Sequence, residues 1–133
     1  MASMKLQIDP RADSSGQIFS FMEKQGGAWG ARKEVIDRAK SAMNEFIEAA
    51  RALELATGKI DAEVSFDEFN LDIEMRYNGE PMELPIERPT DADLLEDERV
   101  VAKLAGFLIK NYVDRVSSDR INGRGRVQFH LEH

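Results

Sequence analysis

The stretch Ala31–Leu55, ARKEVIDRAKSAMNEFIEAARALEL, decides the fold because it predicts one long amphipathic helix. Its apolar residues recur at steps of three and four, the spacing that places side chains on one side of a helix. No proline or glycine interrupts the run, whereas Gly30 in front of it and Thr57-Gly58 behind it are typical helix boundaries. The residues predicted to face the core are Val35, Ile36, Ala39, Ala42, Met43, Phe46, Ile47, Ala50 and Leu53.

The composition indicates one globular domain and excludes several kinds of site. The 133 residues are 42% hydrophobic and 32% charged, which is enough for a core without disulfides. There is no cysteine, and both histidines lie in the last four residues, so a thiolate site or a histidine-based metal centre in the body of the domain is excluded. A net charge of −7 repels phosphate backbones, so we expect no nucleic acid partner.

The ends of the chain suggest a piece of a longer protein. Residues 1–15 are predicted to be a linker or a cloning-derived extension, although Lys5-Leu6-Gln7-Ile8 also alternates like a short strand. Leu131-Glu132-His133 matches the junction that expression vectors leave before a histidine tag, so residues 131–133 are predicted to be a tag remnant. Residues 16–130 would form a single domain. No apolar run approaches the roughly 20 residues that span a bilayer, and no secretory signal opens the chain, so we expect a cytoplasmic location.

Shorter patterns flank the long helix. Gln17–Gln25 predicts a short helix that ends at Gly26-Gly27. Trp29 is expected to pack on the long helix, with a stacking platform for a base as the alternative. Beyond the long helix the apolar period changes from 3.6 to 2, which predicts two strands, 60–66 and 69–77, joined at about Asp67–Glu68 as an antiparallel hairpin.

The second half of the chain repeats this order. Residues 79–90 contain Pro81, Pro85 and Pro89 and are predicted to be a mobile loop. A second helix is predicted from Asp91 to about Arg115, and a second hairpin, Val116–Ile121 and Arg126–His130, turns at Asn122-Gly123. Helices that alternate with hairpins predict an α+β fold, a two-layer sandwich with helices on one face of a mixed, mainly antiparallel sheet.

This layout resembles the ATP-binding domain of the histidine-kinase-like (GHKL or Bergerat) superfamily, and within it the anti-sigma-factor serine kinases. In that family the long helix carries a Glu and, one turn later, an Asn that holds Mg²⁺ on the nucleotide phosphates. Glu45 within NEFIEAA stands at the position of the Glu. The family's second strand ends in Asp-x-Gly, and LDIEMRYNGEP keeps Asn78 and Gly79. AKLAGFLIKNYVDRV resembles the helix that the glycine-rich box opens, with Gly106 as the retained glycine.

The same comparison shows three departures from the family pattern. Ala49 stands where the Mg²⁺-holding Asn is expected, and Tyr77 stands where an Asp would receive the adenine amino group. One glycine remains of the box, and small residues are what lets backbone amides wrap a phosphate. Without the Asn the triphosphate charge lacks its metal ligand, and the acidic surface adds repulsion.

The resemblance therefore implies a non-catalytic, ATPase-like regulatory or interaction domain with neither ATP nor Mg²⁺ as a cofactor. The alternative is an active serine kinase in which Glu45, Asn78, Gly79 and Gly106 bind Mg-ATP and Glu45 is the general base. IFSFMEKQGGAWGARKEVIDRA also resembles the soluble segment of bacterial xanthine/uracil permease-family proteins, which implies a membrane protein as parent. A protein partner is expected, and a homodimer is left open.

Two charged clusters are weaker candidates. Asp91, Asp93, Glu96, Asp97 and Glu98 have the oxygen ligands that Ca²⁺ or Mg²⁺ prefers, with a solvated helix start as the simpler interpretation. The closing hairpin is basic and would meet an acidic partner or lipid headgroups, or else neutralise carboxylates of the domain itself; its arginines are Arg115, Arg120, Arg124 and Arg126.

Overall fold

The computed structural model describes residues 2–12, 15–82 and 97–133, with the side chains of 97–99 excepted. In chain order the elements are β1 Ala2–Ile8, α1 Ser15–Trp29, α2 Lys33–Ala52, β2 Thr57–Phe66, β3 Asn70–Asn78, α3 Asp97–Tyr112, β4 Arg115–Ile121 and β5 Arg124–Glu132. The strands form one sheet in the order β1-β2-β3-β5-β4, and every described pairing is antiparallel. The predicted α+β fold is confirmed, without a parallel pair in the described part of the sheet.

The core lies between the helices and one face of the sheet. Alternate residues of β2, β3 and β5 are buried while their neighbours are partly or fully exposed, as expected when helices cover one face. Along α2 eight of the nine predicted core residues are buried, and Leu53 is half-buried. No helix in the ranges above is long and apolar enough to cross a membrane.

Helix α2 ends three residues before the predicted boundary. Glu54 has a φ of 50°, and the amide of Leu55 donates to the carbonyl of Ala50 at 2.9 Å. This is a left-handed C-terminal cap, a position at which glycine is usual because its Cβ-free backbone pays no steric penalty. A prediction that uses the next glycine, Gly58, as the helix boundary therefore places the end of α2 too late.

The prediction that α1 ends at Gly26-Gly27 is wrong, because the helix continues to Trp29. Gly26 is buried where α1 meets α2, and a Cβ at that position would lie 2.6 Å from the side chain of Ile36. The glycine serves close helix packing and does not stop the helix. Trp29 is half-buried and packs against the core, but its ring stacks on Phe66 of β2, with 6.0 Å between the ring centroids, and not on the long helix as predicted.

Both predicted hairpins are confirmed. At the β2–β3 turn the Asp67 carboxylate accepts hydrogen bonds from the amides of Phe69 (3.1 Å) and Asn70 (2.8 Å). At the β4–β5 turn Asn122 and Gly123 have φ of 51° and 78°, the values of the two-residue turn that matches strand twist.

The first residues of the chain take the strand alternative. Ala2–Ile8 pairs with β2 along its whole length, and Ile8 is fully buried. Arg51 of α2 holds the turn that follows, since its guanidinium donates to the carbonyls of Pro10 (2.7 Å) and Ala12 (2.9 Å). At the other end of the chain, Leu131 of β5 is fully buried opposite Leu71 of β3.

Several predictions fall on residues 83–96, which lie outside the described residues. They are most of the proline-containing loop, the start of the second helix, and the candidate cation ligands Asp91, Asp93 and Glu96. Asp97 and Glu98 begin α3, but their side chains are also outside the description. Helix α3 ends at Tyr112, short of the predicted Arg115, because β4 begins at that residue.

Candidate functional site

Glu45 lies on α2 with its side chain partly buried. Burial, and then the negative charge of Glu48, raise the pKa of the Glu45 carboxyl above its usual value. Among the described residues no hydrogen bond or ion pair links Glu45 with Asn78 or Gly79. Ala49, one turn further along, is 4% exposed, so its methyl group packs in the core. A carboxylate is therefore present at this position without the amide that would share a cation with it.

Tyr77 lies at the end of β3 and is fully buried. Its ring packs against Phe46 of α2, with 5.8 Å between the ring centroids. The hydroxyl donates to the carbonyl of Glu80 at 3.0 Å and accepts from the amide of Met82 at 2.9 Å. Burial is the main cause that raises the pKa of Tyr77, so the phenol stays protonated and able to donate at neutral pH. Donor and acceptor are both used by the chain's own backbone.

Gly125 of β5 provides the space for this ring. It stands directly opposite Tyr77 in the register of the sheet, and a Cβ there would lie 2.6 Å from two ring atoms of Tyr77. A lone glycine inside a strand pattern signals such a close approach. The sequence interpretation did not use this signal, and it also did not identify Met82, which is 3% exposed beneath the tyrosine hydroxyl.

The other predicted ligands have structural contacts of their own. The Oδ1 of Asn78 accepts a hydrogen bond from the Nε of Arg124 at 2.9 Å. A Cβ at position 79 would lie 2.1 Å from the carbonyl oxygen of Leu55, so only glycine fits there. Gly106 is buried in α3, which packs on α2. The structure thus brings α2 and the end of β3 together through Phe46 and Tyr77, and α3 packs on α2.

Three of the four arginines of the closing hairpin neutralise carboxylates of the domain, as the simpler interpretation predicted, whereas Arg115 has no ion pair with the described residues. Arg126 donates to Asp119 at 2.7 Å and to Glu74 at 3.1 Å. Arg124 pairs with Asp61 at 3.1 Å, and Arg120 pairs with Glu80. Within the described ranges no group of three or more His, Asp or Glu side chains is arranged to hold a metal ion.

Comparison with known proteins finds similar solved structures but no matching sequence family. No family model and no curated protein matches the sequence, so the resemblance to permease-family proteins has no support. The crystal structure of the RsbU and RsbW domains of Rv1364c from Mycobacterium tuberculosis is similar, with a TM-score of 0.69 and 12% identity over 98% of this chain and 32% of that one. The histidine kinase AdeS of Acinetobacter baumannii gives a TM-score of 0.49 and 10% identity over 99% of this chain and 68% of that one. The chain spans about a third of the Rv1364c structure, and the likeness shows a shared fold, in agreement with the GHKL-like fold that the sequence predicts.

Proposed function

We propose that this domain is a non-catalytic ATPase-like module that regulates a larger protein or binds a protein partner. The observation that carries the proposal is the buried Tyr77, whose hydroxyl is occupied by Glu80 and Met82. An adenine amino group needs a free acceptor at this position, and the buried hydroxyl oxygen of Tyr77 already accepts a hydrogen bond from the amide of Met82. Opening the site would expose Met82 and leave the hydroxyl without partners.

The phosphate end supports the same proposal. Mg²⁺ is bound by oxygen ligands, and the buried methyl of Ala49 supplies none. Glu45 alone would face the triphosphate, and two negative groups repel each other unless a cation lies between them. Binding energy is therefore missing at both ends of the nucleotide.

Isothermal titration calorimetry with Mg-ATP and Mg-ADP tests the proposal. At about 100 μM protein we expect no heat of binding, which corresponds to a Kd weaker than roughly 1 mM, or about 4 kcal/mol. Glu45→Ala is titrated beside the parent protein, and Glu34→Ala, an exposed carboxylate in the first turn of the same helix, is the matched control. A micromolar isotherm that Glu45→Ala abolishes and Glu34→Ala leaves unchanged would refute the non-catalytic proposal.

The second candidate function is an active serine kinase, and the state of Glu45 favours it. A carboxyl whose pKa is raised by partial burial is closer to the value that suits a general base at neutral pH. Phosphate transfer from Mg-ATP to a protein serine, lost in Glu45→Gln, would establish this function. Absence of nucleotide binding would eliminate it.

The proposed role requires a protein partner, which the parent protein itself can supply. We place the domain in the cytoplasm, where a GHKL-like regulator would meet such a partner. A homodimer remains part of the proposal, and sedimentation equilibrium over roughly 5–200 μM protein distinguishes a monomer of 15.0 kDa from a dimer.

A further inference from the structure

The face of the sheet opposite the helices carries a cleft that is separate from the position where a nucleotide would bind. Its volume is about 710 Å³, within the range of small-ligand sites. Strands β2, β3, β5 and β4 form its floor, and the end of α3 contributes Lys110 at one side. The cleft lies away from Tyr77, whose side chain is on the helix-covered face.

Two neighbouring rows of residues cross the floor from β4 to β2. Residues directly opposite in an antiparallel sheet share a face, so each row follows from the strand register. One row is Arg115, His130, Asp72 and Ser65, and the other is Ser117, Gln128, Glu74 and Glu63. Arg115 and His130 stand over β4 and β5, and the carboxylates of the two rows stand over β3 and β2. One further carboxylate, Asp114, lines the basic end beside Arg115, and its Oδ2 accepts a hydrogen bond from the amide of Glu132 at 2.7 Å, so Lys110 and Arg115 together leave this end with a net positive charge. The cleft is therefore polarised from one side to the other.

The two ends differ in how far their charges are already neutralised. At the basic end Arg115 and Lys110 are exposed, and neither has a hydrogen bond or ion pair with the described residues. At the acidic end Glu63 stands opposite Glu74, and like charges in that position repel. Glu74 is held by Arg126 at 3.1 Å, whereas Glu63 has a single contact with Lys5 at 3.9 Å. An incoming ammonium group would relieve this repulsion.

The middle of the cleft supplies neutral hydrogen-bonding groups. Ser117 and Gln128 contact each other at 3.5 Å, a distance too long for a strong hydrogen bond, so both can turn to a ligand. Ser65 lies at the acidic end beside Asp72, whose carboxylate is bound by His130 at 2.6 Å. Such groups suit peptide amides, which need both donors and acceptors.

We infer that this cleft binds a short peptide with free ends, its ammonium group at Glu63 and its carboxylate at Arg115 and Lys110. The distance between β4 and β2 is three strand spacings, about 14 Å. An extended tetrapeptide of about 3.3–3.6 Å per residue covers that span. The inference is independent of the proposed function, since it uses neither α2 nor the end of β3.

The test uses tetra-alanine and two blocked forms, the N-acetyl peptide and the C-terminal amide, titrated into ¹⁵N-labelled protein. We expect saturable shifts of the amides of β2–β5 that face the cleft. Removing the charge of either end should weaken binding about three- to tenfold, the effect of one exposed charge-assisted contact. Titration to about 20 mM without saturation, or shifts confined to other surfaces, would overturn the inference.

Variants then test the orientation. Arg115→Ala should lower the affinity for the free peptide about fivefold and leave the affinity for the C-terminal amide unchanged, because the charge that it binds is already absent there. Glu63→Gln should behave in the same way towards the N-acetyl peptide. Lys24→Ala and Glu34→Gln, exposed on the helices, alter the net charge equally and should change neither affinity. If Arg115→Ala weakened the acid and the amide forms alike, the proposed orientation would be wrong.

Discussion

Replacing Gly125 by alanine should destabilise the fold through a single contact, the one with Tyr77. The added Cβ would lie 2.6 Å from Cε2 and Cζ of the ring and 2.8 Å from its hydroxyl oxygen. The ring has no free direction, since Phe46 packs on it and the hydroxyl is bound to Glu80 and Met82. Either the ring moves and loses these hydrogen bonds, or β5 moves away from β3.

The magnitude follows from these contacts. Overpacking of a filled core costs about 1–3 kcal/mol. Loss of one hydrogen bond of the hydroxyl adds about 0.5–1.5 kcal/mol. We therefore expect the free energy of unfolding to fall by about 2–4 kcal/mol, which moves the urea midpoint by about 1–2 M at an m-value near 2 kcal/mol/M. Fluorescence of Trp29, the only tryptophan, and far-UV circular dichroism would both follow the transition.

Two comparisons make the measurement specific. In a Tyr77→Leu background the same alanine should cost less than about 1 kcal/mol, because the shorter side chain does not reach position 125. Gly27→Ala is the matched glycine control, since nothing lies within 4 Å of a Cβ there and alanine is the better helix former. If Gly125→Ala cost less than about 0.5 kcal/mol, or cost the same in both backgrounds, the reasoning about the tyrosine would fail.

Three further predictions concern helix ends, turns and charges. Glu54→Gly should raise the free energy of unfolding by about 0.5–1 kcal/mol in a urea titration, because it removes a side chain from left-handed backbone, whereas Glu48→Gly inside α2 should lower it by a similar amount. The amides of Asn70 and Phe69 lower the pKa of Asp67 below 3.8. The stabilisation of the fold by this carboxylate is therefore complete above that pH and is lost as the pH falls through the lowered pKa. Asp67→Asn should flatten the decline of the melting temperature between about pH 5 and 2. Lys40 is 13% exposed and binds Glu23 and Asp37, which raise its pKa above 10.5. Lys40→Met should therefore lower the free energy of unfolding by about 1 kcal/mol at neutral pH and remove the part of its decline at alkaline pH that belongs to this group. An unchanged decline of stability at alkaline pH would contradict that assignment.

The helix and hairpin pattern was predictable because each element buries one face. In α2 and in β2–β3 the apolar period separates most of the buried from the exposed residues, although Phe69, the first residue of the predicted second strand, is 74% exposed. Boundaries were less predictable, since Gly26 packs against Ile36 and Glu54 occupies a cap that usually carries glycine. At Gly26 a tertiary contact overrode the local meaning of glycine, and at Glu54 a non-glycine residue adopts the left-handed backbone of the cap.

The candidate site was likewise predictable only in part from the sequence. The sequence by itself gave Glu45 a place on the long helix and identified Ala49 and Tyr77 as departures from the family pattern. It gave no information on where the tyrosine ring lies, because that depends on a glycine 48 positions further along the chain and on a carbonyl and an amide beyond β3.

For this protein the sequence determined the α+β class, the two hairpin turns and the residues of the core, because periodicity and turn chemistry act over a few residues. Only the tertiary structure decided the strand order β1-β2-β3-β5-β4, the occupied hydroxyl of Tyr77 and the polarised cleft on the open face. Each of these depends on which strands become neighbours, and that choice is made by packing between segments far apart in the chain.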